Sequence, residues 1–114
     1  MDIDLLFAVV TPEQWRTISG EGTLRNTYMD GEDSIWCFEG KHAEEVINEF
    51  YEGDSLLLIV LDPLRIQAPF KRITKNGFEI IEIKQSISID VIIDRIKLNP
   101  DKKGKYSMNV KHFD

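Results

Sequence analysis

The sequence predicts an α+β fold, with helices early and strands late, on three observations. Residues Ser55–Leu61 read Ser-Leu-Leu-Leu-Ile-Val-Leu, apolar at six of seven positions, as expected of a strand buried on both faces. Residues 41–52 repeat apolar side chains at Ala43, Val46, Ile47 and Phe50, the spacing of one helical stripe. The helical patterns cluster early and most of the short, β-branched runs come late, which argues against strict βαβ alternation. Ser55–Leu61 is expected to be the strand on which the other layers pack.

Each element has its own justification. Residues 4–10 (Asp-Leu-Leu-Phe-Ala-Val-Val) are apolar and partly β-branched, a first strand. Thr11 then offers a capping hydroxyl, Pro12 suits the first helical position, and Gln14 stands where the second half of a capping box belongs. Trp15 and Ile18 are expected to face the core of this short helix, and Gly20 to end it. Residues 21–33 turn polar, with an Asp30–Gly31 turn signal, and form the one long irregular connection, a candidate lid whose ligand-capable residues are Arg25 and Tyr28. Residues 34–38 are a second strand, with Trp36 on one face and Ile35 and Cys37 on the other.

After the buried strand, Asp62–Pro63 turns the chain and residues 70–74 form an edge strand. Asn76–Gly77 is a hairpin turn, because both residues tolerate positive φ. In the strand 78–84 that follows, Phe78, Ile80, Glu82 and Lys84 share one face. Residues 89–98 are expected to be a strand or a short helix, the run Val91-Ile92-Ile93 favouring strand. Asn99–Pro100 closes one domain over residues 1–99, leaving a basic tail over 100–114.

The chain has 114 residues and a formal charge of −6, unevenly spread. Residues 1–94 hold 18 acids and 8 bases, and residues 95–114 hold 2 acids and 6 bases. An acidic body argues against nucleic acid as the main partner, because phosphate binding needs a basic surface. The basic end has three readings, docked on the body, bound to an anionic partner or solvated, and short charged tails favour the last. No stretch has the length of a membrane span, and the absence of a basic segment before the first apolar run predicts a cytoplasmic chain without a cleaved leader. An exposed strand edge leaves room for a homodimer.

Side-chain chemistry is sparse. Cys37, His42 and His112 are the only soft or imidazole donors and show no metal-binding spacing, so no metal site is expected. Cys37 lies in an apolar strand, where a thiol is inert. Glutamates 44, 45, 49 and 52 read as a solvated helix face. Glu82 is the more interesting carboxylate, because its neighbours on the strand face are apolar on one side and Lys84 on the other.

The strings Thr11-Pro-Glu-Gln-Trp15, Ile35-Trp-Cys37, Phe50-Tyr-Glu-Gly53, Asp62-Pro-Leu-Arg-Ile-Gln-Ala-Pro69 and Ile87-Ser-Ile-Asp90 resemble, in this order and over about residues 4–98, a small bacterial domain of unknown function, number 952. That resemblance implies an ADP-ribosyltransferase-like fold, a small split antiparallel β-sheet sandwich with two helices and an NAD-sized cleft. It also implies three histidines, which by spacing fall on Ala8, Trp36 and Glu82 here, and a serine that falls on Phe38. Alanine and phenylalanine supply neither a proton nor a hydroxyl. Trp36 can stack on a planar ring, and Glu82 falls on the kind of late strand where ADP-ribosyltransferases carry the glutamate that orients ribose.

The resulting expectation is a non-catalytic domain that binds a small ligand or a protein partner and uses no cofactor. Its site would be Trp36, Glu82, Ala8 and Phe38, with Arg25 and Tyr28 from the loop, and Trp36 and Glu82 would line a narrowed cleft. Two alternatives stay open. One is an ADP-ribosyl-transferring or NAD-processing enzyme using Glu82. The other is an interaction protein working through its acidic surface.

Overall fold

A computed structural model describes residues 5–24 and 34–107. The elements are β1 (Leu6–Val10), α1 (Pro12–Glu21), β2 (Thr23–Leu24), β3 (Ile35–Glu39), α2 (Ala43–Phe50), β4 (Leu56–Leu61), β5 (Phe70–Lys75), β6 (Phe78–Ile83), β7 (Ile87–Ser88) and β8 (Ile92–Leu98). Short 3-10 turns cover Gly40–His42, Pro63–Arg65 and Ile89–Val91. The α+β class and the two helices are as expected. Six strands form one sheet in the order β5-β6-β3-β1-β4-β8, and β2 pairs with β7 in a separate two-stranded sheet. All pairs are antiparallel.

The buried run became β4, but it is not the middle of the sheet. β1 and β3 hold the centre, and β4 is next to the edge strand β8. Its six apolar side chains alternate between two cores: Leu56, Leu58 and Val60 face one layer, and Leu57, Ile59 and Leu61 the other. Burial on both faces therefore follows from a layer on each side of the sheet, not from a central position.

One layer is α2. Its buried Ala43, Val46 and Ile47 pack with Phe7, Phe38, Leu58 and Ile80. The other is α1 with β2, β7 and the 3-10 turns, where Ile18, Leu24, Ile87 and Val91 cover Ala8, Cys37, Ile59 and Ile81. The predicted capping box opens α1: the Gln14 N–H donates to Thr11 Oγ1 at 3.0 Å, and the Thr11 N–H donates to Gln14 Oε1 at 2.9 Å. The helix runs past Gly20 and stops at Gly22, which takes φ 73° and donates its N–H to the Ile18 carbonyl at 2.8 Å. Gly20 carries the composition of a stop, but the left-handed residue that defines one is two positions on. Asn76 and Gly77 take φ 52° and 85° at the β5–β6 hairpin, as their types require. Residues 89–98 divide into a single 3-10 turn and then β8, so both readings of that stretch apply.

Residues 100–107 correct the expectation of a solvated tail. Tyr106 is 2% exposed and belongs to the α2-side core. Its hydroxyl donates to the Asp54 carbonyl at 2.6 Å and accepts from the Asp54 N–H at 3.0 Å. The Asn48 side chain meets its backbone both ways, donating to the Tyr106 carbonyl at 2.9 Å and accepting from its N–H at 2.8 Å. The Gly53 N–H donates to the Gly104 carbonyl at 3.1 Å. Lysine-rich composition suggested solvation, while one aromatic with four hydrogen bonds ties the segment down. Among the described residues no helix is long and apolar enough to cross a membrane.

Candidate functional site

Trp36 and Glu82 meet because β3 and β6 are in register at that pair. Both point to the α2 side of the sheet, since Ile35 and Cys37 flank Trp36 in the opposite core. The indole Nε1–H donates to Glu82 Oε2 at 3.1 Å. On the other carboxylate oxygen, Lys71 Nζ lies at 3.7 Å and Lys84 Nζ at 3.9 Å. Lys71 stands directly across from Glu82 on β5. Lys75 Nζ sits 5.2 Å from the centroid of the Trp36 ring, within cation–π range.

The expected cleft is therefore closed by its own residues. Trp36 is 5% exposed, the Glu82 side chain is 11% exposed, and both carboxylate oxygens face donors from this chain. Phe38, on the same side, is fully buried in the α2 core. Lys75 stands over the indole ring, where a stacking ligand would lie.

Ala8 does not join them. Phe7 pairs with Phe38 across β1 and β3, so Phe7 shares the α2 side and Ala8, one residue on, faces the α1 core with Cys37. A shift of one residue reverses the face of a strand position, and spacing along the chain alone does not carry that parity. Arg25 and Tyr28 lie outside the described residues. Burial pushes the Cys37 thiol up to about 12, so it stays protonated and a poor nucleophile at neutral pH. Among the described residues no group of His, Cys, Asp and Glu is placed to hold a metal ion.

β3 divides its pairing between two neighbours. Its first three residues pair with β6, and Phe38 and Glu39 pair with β1. Over Ala8–Val10, β1 pairs with β4 alone. The large sheet is thus joined at its centre by a short ladder and opens beside Trp36 and Cys37.

A cavity of about 790 Å³ lies elsewhere, on the α1 side at the corner made by the 3-10 turns and β7. Its walls include Arg65, Gln67, Gln85 and Ser86, over a floor of Ala68, Ile87 and Val91. Sequence reasoning marked Asp62–Pro63 as a turn here but passed over Gln67 and Gln85. Single glutamines in turns carry no pattern of their own. Only the approach of residues 62–68 to residues 85–91 gives them a shared wall.

No family model matches the chain, and no curated protein matches it. Solved structures do. A crystal structure of protein CC0527 from Caulobacter crescentus superposes with a TM-score of 0.79 at 16% identity, covering 90% of this chain and 93% of that one. A double mutant of the same protein gives 0.75 at 17% identity over the same shares. Its solution structure gives 0.69 at 16%, over 90% of this chain and 91% of that one. The chain shares the fold of CC0527 over nearly its whole length.

Proposed function

We propose that the chain is a non-catalytic binding domain of ADP-ribosyltransferase-like type, taking a small ligand or a protein partner. The observation that carries this is the closure of Glu82. Ribosyl transfer needs a carboxylate aimed at a ribose hydroxyl and at the positive charge that develops on the sugar. Here one oxygen accepts from the Trp36 indole and the other lies near two ammonium groups, so turning it toward a ribose would strip the indole N–H of its acceptor. Ala8 and Phe38 bring no proton donor or acceptor, and the neutral Cys37 thiol brings no nucleophile.

The opening of the sheet between β1 and β3 favours the ADP-ribosyltransferase-like assignment over a continuous sandwich. Incubation with NAD tests the reading. The expected results are no released nicotinamide and an unchanged melting temperature at millimolar NAD, since even weak binding to the native state raises stability by mass action. Nicotinamide release that disappears in Glu82→Gln would overturn it in favour of an enzyme.

A further inference from the structure

We infer that the cavity at the β7 corner is a groove for an extended, uncharged peptide segment that adds to β7 as a third strand. This rests on the reading of the chain as a binding domain and assigns its partner surface. Among the described residues β7 pairs with β2 alone, so its other edge carries no ladder. Gln85, Ser86, Ile87 and Ser88 all line the cavity. Both residues of β7 line the cavity and neither Thr23 nor Leu24 of its partner β2 is in the wall, so the groove lies on the side of β7 away from β2. A free backbone edge beside a groove recognises another backbone: main-chain hydrogen bonds supply affinity, and pockets for alternate side chains supply selectivity.

The rest of the lining matches an uncharged peptide. The side chains of Gln67, Gln85 and Ser86 are exposed and make no hydrogen bond to another described residue. Carboxamides pair as donor and acceptor with a peptide bond. The one cation among the described lining residues, Arg65, is engaged: Nη1 donates to the Asp90 carbonyl at 3.2 Å and Nε lies 3.4 Å from Asp62 Oδ2. Among the described lining residues the charged ones, Arg65 and Asp90, sum to zero, so these residues do not call for a phosphate or a carboxylate. Among the described residues no aromatic ring lines the cavity, so they offer no stacking surface of the kind that sugars and bases use.

Below this polar wall, Ala68, Ile87 and Val91 are 6%, 7% and 2% exposed and offer a seat for one apolar side chain. The frame is tied together before any ligand arrives. The Asp62 N–H donates to the Val91 carbonyl at 2.9 Å, the Ile89 N–H to the Gly22 carbonyl at 3.0 Å, and the Asp90 N–H to Ser88 Oγ at 3.2 Å. Its volume of about 790 Å³ falls within the roughly 300–1,000 Å³ of ordinary ligand sites.

The test is an NMR titration of the isotope-labelled full chain with an end-blocked tetrapeptide of alternating serine and leucine. Parallel titrations use the same peptide with aspartate in place of serine, and adenosine. The expected result is a shift of the Gln85–Ser88 amides and of Ala68 by the neutral peptide, with weaker effects from the other two. In the exposed pair Q67A/Q85A, affinity should fall roughly tenfold, the loss of two modest hydrogen bonds, at an unchanged melting temperature. No shift at Gln85–Ser88, an equal response to adenosine, or full affinity in Q67A/Q85A would overturn the inference. Nicotinamide release is read separately: a chain that binds the peptide and also turns over NAD keeps the groove and loses the non-catalytic reading.

Discussion

The two faces of the large sheet are built from the same strands and differ in how they are covered. On the α2 face, a regular helix and the Tyr106 segment lie over large side chains, and three polar contacts tie it together: Trp36 with Glu82, Tyr106 with Asp54, Asn48 with the Tyr106 backbone. On the α1 face, cover comes from a short helix, a two-stranded sheet and 3-10 turns, whose side chains meet at a corner without filling it. A helix laid along a sheet closes it, because its apolar stripe is continuous and buries one whole side of the helix against the strands. Turns bring side chains in from several directions, and their amides are left facing outward. The larger cavity therefore lies on the face where the sequence carried the weaker pattern.

The comparison can be broken at its strongest point first. Phe38→Ala removes a fully buried ring from the α2 core and should lower unfolding free energy by about 3–5 kcal/mol. Urea unfolding checks this. A loss below about 1 kcal/mol would mean that this face is loosely packed and not closed.

Tyr106→Phe keeps the ring and removes the hydroxyl that bonds Asp54 twice. The cost should be about 1–3 kcal/mol, because the Asp54 backbone groups are left without that partner. Faster amide exchange at Asp54 in the variant would locate the loss at the docked tail. An unchanged midpoint would show that residues 100–107 are not needed to close the α2 side.

The smallest effect at neutral pH concerns Cys37, in the α1 core. Burial raises its thiol to about 12, so the folded chain holds this proton more tightly than the unfolded chain does. Its contribution is complete below the unfolded value, near pH 8.5, and is lost as pH rises from there toward about 12. Wild type should therefore lose stability in alkali more steeply than Cys37→Ala. In the native state at neutral pH, thiol reagents should label Cys37 only at the rate of unfolding. Fast labelling would mean that the α1 core is open to solvent beyond the corner cavity.

Local chemistry was legible wherever one residue type and one spacing sufficed. The Thr11–Gln14 capping box, the Asn76–Gly77 hairpin, the α2 stripe and the two-sided burial of β4 all follow from short-range rules about φ, capping and periodicity. Glu82 and Trp36 were separately visible as a carboxylate and an aromatic on strands, and their opposition needed only the pairing of β3 with β6. Spacing failed at Ala8, since the face of a strand residue depends on the partner's register. It failed again at the tail, where charge suggested solvent and Tyr106 was the anchor.

By itself the sequence determined the α+β class, the two helices, the main strands and a chain with few imidazole and thiol groups. Periodicity, capping and turn chemistry act within a few residues, and those properties need nothing more. Only the tertiary structure decided that Glu82 is held by Trp36, that Ala8 faces away from both, and that Gln67 and Gln85 share a groove. These are relations between residues 15 or more positions apart, set by register and by which turns the folded chain brings together, and no local pattern encodes them.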